Sequence, residues 1–375
     1  MRYVTYRNYI SQSSFSVVLL IFFAIIVLAG VSLRALESRW YANIGQLQLA
    51  RAMMTTSETQ KQVAATNSEK WLRNAIFADG NNTAAQRGLG FALLAQGRED
   101  EAVEAWGDDL MFLETIVRGN LFFNNSFYSS SLKWYELASK ISPENWVSFY
   151  KIGLVYSKTE NWFEAVRYQK EAIARCSGNR DPWFELGMAL SRIGNFNEAR
   201  KVFSVGALLD DGEIGRSDIY YQIGKIELEQ GLETNTSWEK AQYFFDQALE
   251  QGDFSNINYE ANTLHAYGKH FASIGQKLRA IKYYEKELSL TPNRYWTRIA
   301  LGDTYFKSGQ TNPAKIEYKI AQELNPKLKW SYIRLADIYL SSGDKELAKN
   351  EYVKFLNIVP GDQVVLDALH SIGSE

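Results

Sequence analysis

The chain reads as an all-α protein of stacked helical repeats, and three observations predict it. First, a 34-residue unit recurs three times without insertion or deletion, as residues 261–294, 295–328 and 329–362. A fixed period of that size marks a chain in which each unit buries its apolar face against the next. Second, the eighth position of each unit is small (Gly268, Gly302, Ala336) and an alanine follows twelve residues on (Ala280, Ala314, Ala348), so two helices can cross closely. Aromatics at the eleventh position (Phe271, Tyr305, Tyr339) and the twenty-fourth (Tyr284, Tyr318, Tyr352) fill the space beside that crossing. Third, a proline stands at the thirty-second position of every unit (Pro292, Pro326, Pro360), where it stops the second helix before the next one begins.

This spacing resembles the tetratricopeptide repeat (TPR). The resemblance implies helix-turn-helix units stacked into a right-handed α-solenoid with a concave groove. Counted along the chain, the units come to about eight or nine. A solenoid grows by adding units and needs no separate cores, so 375 residues form one array rather than two or three domains.

Residues 1–14 read as a short leader carrying Arg2 and Arg7 and no acid. Residues 15–33 are nineteen positions without a charge. As a helix they would extend ~28 Å, enough to cross a bilayer. The leader's charge favours an N-terminus inside the cell, and Trp40 and Tyr41 beyond the run suit an interfacial belt. The expectation is a single-pass anchor in a bacterial plasma membrane, with a cytoplasmic N-terminus and the array outside. Val27 and Ala29 before Gly30 also suit a cleavage site, in which case the array would be secreted.

Residues 34–67 read as a helical stalk or a degenerate first repeat, and the array proper as 68–362. Its regular units are 112–145, 146–179 and 180–213, marked by Gly119, Gly153 and Gly187, and then the three that close the array. Between the two groups the register slips near Asp211, and polar insertions at 232–238 and 251–258 read as tolerated edge loops. Residues 363–375 read as a capping helix and tail, which an array needs to cover its last apolar face. The prolines test this register independently. Pro143, Pro292, Pro326 and Pro360 fall after second helices, and Pro182 and Pro313 in first turns.

The composition argues against several classes of function. Lys and Arg number 41 against 43 Asp and Glu, so nothing marks nucleic acid as a partner. A lone cysteine, Cys176, excludes an intramolecular disulfide, and with three histidines it excludes a Cys/His zinc cluster. His265 and His270 are five residues apart, which sets them on different helical faces. No phosphate-binding loop, HExxH or GxSxG is present, and Asp210-Asp211 reads as a solvated turn. No catalytic residue, metal site or cofactor is expected.

Function is therefore expected in the groove, which the family fold lines with first-helix positions two, five, nine, twelve and thirteen. Position five carries Tyr150, Phe184, Tyr221 and His265; position nine carries Met188, Lys225, Lys269, Asp303 and Asp337; position two carries Trp296 and Trp330. These eleven residues are the candidate binding surface, apolar in its first half and charged in its second. Aromatic concave surfaces anchor peptides or partner helices. The same rings could instead bridge adjacent repeats. The TPR set that clamps chaperone tails is not matched, since Trp330 and Ala300 stand where that set needs lysine and asparagine. The reading is a non-catalytic membrane-anchored scaffold for protein partners at the cell envelope. Its alternatives are a glycan or cell-wall binding module and an accessory subunit of an envelope polysaccharide enzyme. Exposed aromatic faces would also allow copies of the chain to associate.

Overall fold

The computed structural model describes residues 33–106, 109–230 and 237–373. The leader and the apolar run expected to cross a membrane lie outside these residues, except for Leu33. Among the described residues no helix is long and apolar enough to cross a membrane. The described residues form two compact units, divided after Cys176. All regular structure among the described residues is helical, with one isolated bridge between Asn179 and Asp211.

The first unit contains four antiparallel pairs: α1 (Leu33–Met54) with α2 (Glu58–Ala78), α3 (Thr83–Ala95) with α4 (Glu99–Trp106), α5 (Asp109–Asn124) with α6 (Tyr128–Ile141), and α7 (Trp146–Lys158) with α8 (Trp162–Arg175). The second contains α9 (Arg180–Arg192) with α10 (Phe196–Ala207), α11 (Arg216–Gln230) with α12 (Ser237–Gln251), α13 (Ile257–Ser273) with α14 (Lys277–Leu290), α15 (Tyr295–Lys307) with α16 (Thr311–Leu324), and α17 (Lys329–Ser341) with α18 (Lys345–Ile358). Helix α19 (Gln363–Gly373) closes it, burying Val365 and Ile372 against Tyr332, Tyr352 and Phe355. All six prolines lie after second helices or within first turns.

The mechanism of the crossing is the same in nearly every pair. A methyl group added to Gly302 would lie 2.6 Å from the Tyr318 ring, and one on Gly268 would lie 2.5 Å from Tyr284. The position-eight glycine is thus the seat of the position-twenty-four side chain, which comes from the second helix. Phe203 on Gly187, Tyr135 on Gly119 and Phe245 on Gly224 repeat the contact. At the fifteenth position the chain must turn from the first helix to the second in a left-handed conformation. Gly97, Gly194, Gly275, Gly309 and Gly343 supply it with φ between +77° and +85°. Ser126 and Glu160 take the same position at φ +63° and +59°, where a side chain costs about 1–2 kcal/mol.

Residues 34–67, open in the sequence between a stalk and a degenerate repeat, belong to a helical hairpin. Helix α2 begins at Glu58, well before the Ser68 that the pattern suggested. Ser38 donates to the Ala75 carbonyl at 2.7 Å and Ser68 to the Gly45 carbonyl at 2.8 Å, while Leu72 seats on Gly45. Tyr41 stacks on Trp71 at 5.7 Å and hydrogen-bonds Glu37.

The slip in register near Asp211 is held by buried polar groups rather than left as loose turns. The Arg180 backbone N–H donates to the Asp211 carbonyl at 2.7 Å, and its buried guanidinium donates to the carbonyls of Leu209 and Ile214. The second insertion is structured too. The Asp253 carboxylate accepts from the backbone N–H of Arg216 and Ser217 at 3.0 and 2.8 Å, capping α11. Its last residues, from Ile257, wind into an extra turn of α13. Most of the first insertion, at 232–238, lies outside the described residues.

Candidate functional site

The extra turn of α13 decides the fate of the aromatic column. It carries Tyr259, whose ring stacks on Tyr221 at 5.1 Å and approaches Phe184 at 6.4 Å. Phe184 also meets Phe203 at 5.9 Å, and Tyr221 meets Phe245 at 6.2 Å. Phe184 is accordingly only 4% exposed and is a bridge between repeats, not a groove contact. Tyr221 is buried in the same ladder, and burial holds its hydroxyl above the usual phenol range. The Asn262 amide donates to it at 3.2 Å.

Two neighbouring cavities in the second unit share Asn262 and His265. The larger, about 540 Å³, is walled by Tyr221, Leu228 and Glu229 of α11, Trp238 of α12, and Ala266, Lys269 and His270 of α13. The second, about 410 Å³, is lined by Asn293, Arg294, Tyr295, Trp296 and Thr297 at the start of α15. His265 and His270 both face the larger cavity, contrary to the expectation from their spacing. His270 reaches it by lying flat on Trp238, with ring centroids 3.9 Å apart and planes within 5°. Burial and the nearby Arg279 hold its imidazole below the usual histidine range.

Beneath the shared wall lies a carboxylate that the sequence reading passed over. Glu287 of α14 is fully buried. Its oxygens accept from Thr297 Oγ1 at 2.7 Å and Arg294 at 3.2 Å, and lie 2.9 Å from His265 Nδ1. Arg294 reaches on to the side-chain oxygens of Asn262 at 2.6 Å and Asn258 at 2.9 Å. Three groups, from two helices and a loop, thus converge on one buried charge, which satisfies the condition for a carboxylate to remain out of water. The signal was available: Glu287 occupies the twenty-seventh position, where Ala138, Ala172 and Ala321 stand in other units.

The remaining candidates are two lysines, two acids, two exposed rings, Met188 and Tyr150. Lys225 and Lys269 are exposed, Lys225 lying 3.5 Å from Glu229. Asp303 accepts from the Tyr318 hydroxyl at 2.7 Å and pairs with Arg334 at 3.1 Å, while Asp337 lies 3.5 Å from the same guanidinium. Burial raises the Asp337 carboxyl, and burial together with Asp303 raises the Tyr318 hydroxyl. These two acids are partly spent on internal structure. Trp296 and Trp330 are 53% and 42% exposed and remain available to a partner. Met188 is half-buried on α9. Tyr150 belongs to the first unit and is half-buried beside Trp146.

The sequence matches the tetratricopeptide repeat profile at residues 297–328 and 331–361, so the chain carries such repeats there. No curated protein is matched. Among solved structures, it is similar to the C-terminal part of a TPR repeat-containing protein from Cytophaga hutchinsonii. The identity is 16% and the TM-score 0.49, over 67% of this chain and 98% of the other. A tetratricopeptide repeat protein from Parabacteroides merdae is similar at 14% identity and TM-score 0.44, over 70% and 99%. A chain of the APC/C hetero-tetramer Cut9–Hcn1 is similar at 14% identity and TM-score 0.46. That likeness covers 87% of this chain and spans 58% of that one.

Proposed function

We propose that the protein is a non-catalytic scaffold that holds a polypeptide partner in the second unit, tethered at the cell envelope by residues 15–33. The observation that carries the reading is the pair of adjoining cavities along α13, flanked by the exposed ring of Trp296. A concave apolar surface with a few fixed polar groups suits an extended segment or a helix face. The tether rests on nineteen uncharged positions ending where α1 begins.

The full chain with a tag after Glu375 tests both parts. Crosslinking in cells should capture a polypeptide whose recovery falls more than tenfold in the Trp296→Ala, Trp330→Ala double variant, as expected when exposed aromatic anchors are removed. Undiminished capture would take both rings out of the site. If a soluble glycan is retained instead and the same double variant loses it, the two tryptophans serve as sugar-stacking platforms. Protease added outside intact cells should remove the tag. Cleavage confined to lysed cells would overturn the outward placement.

A further inference from the structure

The twenty-seventh position of the repeat lies where two helices cross, and Ala138, Ala172, Gly206, Ala321 and Phe355 fill it elsewhere. A carboxylate there costs several kcal/mol in desolvation unless it is fully paired. The crossing does not require it, because alanine serves in sister units. What Glu287 secures is side chains that face the cleft. Its contact with Nδ1 fixes the His265 ring with Nδ1–H donating to the carboxylate, which leaves Nε2 as an acceptor at the cavity that His265 lines. One helical turn further on, Lys269 is exposed at the same cavity and has no ion-pair partner among the described residues. The neighbouring Lys225 is offset by Glu229, and Arg294 by Glu287. Lys269 is therefore a positive charge without an ion-pair partner at the lip of a cavity whose lining also carries Glu229, itself 3.5 Å from Lys225.

We propose that this cleft is the subsite for an apolar-acidic anchor in the partner polypeptide. A phenylalanine or large aliphatic side chain sits against Tyr221, Leu228, Trp238 and Ala266. A carboxylate next to it in the partner's sequence meets Lys269. The inference deepens the scaffold reading and rests on it. Charge complementarity selects the acid, and the cavity of about 540 Å³ selects the bulk of its neighbour.

Three pools of immobilised dodecapeptides test it, identical in composition outside a fixed central Phe-Glu, Phe-Gln or Phe-Lys pair and incubated with the full chain at physiological salt. The Phe-Glu pool should retain the protein about tenfold better than the Phe-Lys pool. Lys269→Glu, at an exposed position that leaves the fold intact, should reverse that order, since it replaces an attraction with a repulsion of similar size. Equal retention by the three pools, or an order unchanged in Lys269→Glu, would overturn the subsite while leaving polypeptide binding in place. Retention by none of the pools would overturn both.

Discussion

Replacing Glu287 by alanine is expected to destabilise the α13–α15 region by about 2–3 kcal/mol, although alanine is the residue that sister repeats use at this position. The backbone accepts the change. The loss arises from the partners: Thr297 is buried, and Arg294 and His265 would keep their burial but lose the charge they converge on. Both are partly exposed, so water recovers some of the loss, which places the effect below that of a fully enclosed pair. Glu287→Gln keeps the volume and some hydrogen bonds and should lose about half as much. The midpoint of urea unfolding and amide exchange in α13 to α15 measure the effect. A neutral or stabilised alanine variant would mean that the carboxylate does not hold these side chains, and the fixed His265 geometry would go with it. Pairing Glu287→Ala with Arg294→Ala should show strong coupling, because the second change removes the cation that the first leaves unmatched.

A larger effect is expected at the helix crossing. Gly302→Val would place side-chain atoms where the Tyr318 ring now lies, since even a methyl carbon would sit 2.6 Å from it. Tyr318 is almost wholly buried and its hydroxyl is held by Asp303, so the ring cannot swing aside without breaking that bond. Overpacking of this kind costs about 3 kcal/mol or somewhat more. In a stacked array the damage stays near the site, so amide exchange in α15 and α16 should quicken by about two orders of magnitude while distant repeats respond less. Gly302→Ala should cost less, because Ala336 occupies the same position opposite Tyr352 and is accommodated there. If Gly302→Val exchanges at the wild-type rate, the glycine is not what sets the distance between these helices.

These two predictions mark the boundary between what sequence and tertiary structure each decide. The crossing at Gly302 is legible from the sequence, because the 34-residue period, the small eighth residue and the aromatic at position twenty-four are local properties of one repeated unit. Helix limits, first-turn prolines and the capping helix follow from the same local chemistry. The groove was legible only as a column of positions. Sequence register picks out first-helix position five as a column, but it cannot say which rings a neighbour will cover. Phe184 left the surface, and Tyr221 kept only an edge at the cavity wall, because an insertion that looked like loop added one turn to α13 and brought Tyr259 against them. Likewise Glu287 and His265 lie 22 residues apart, on different helices, and no spacing rule joins them. The local repeat determined that this chain folds as stacked helix pairs. Packing between repeats decided which side chains remain to meet a partner, because burial depends on neighbours that only the folded stack assembles.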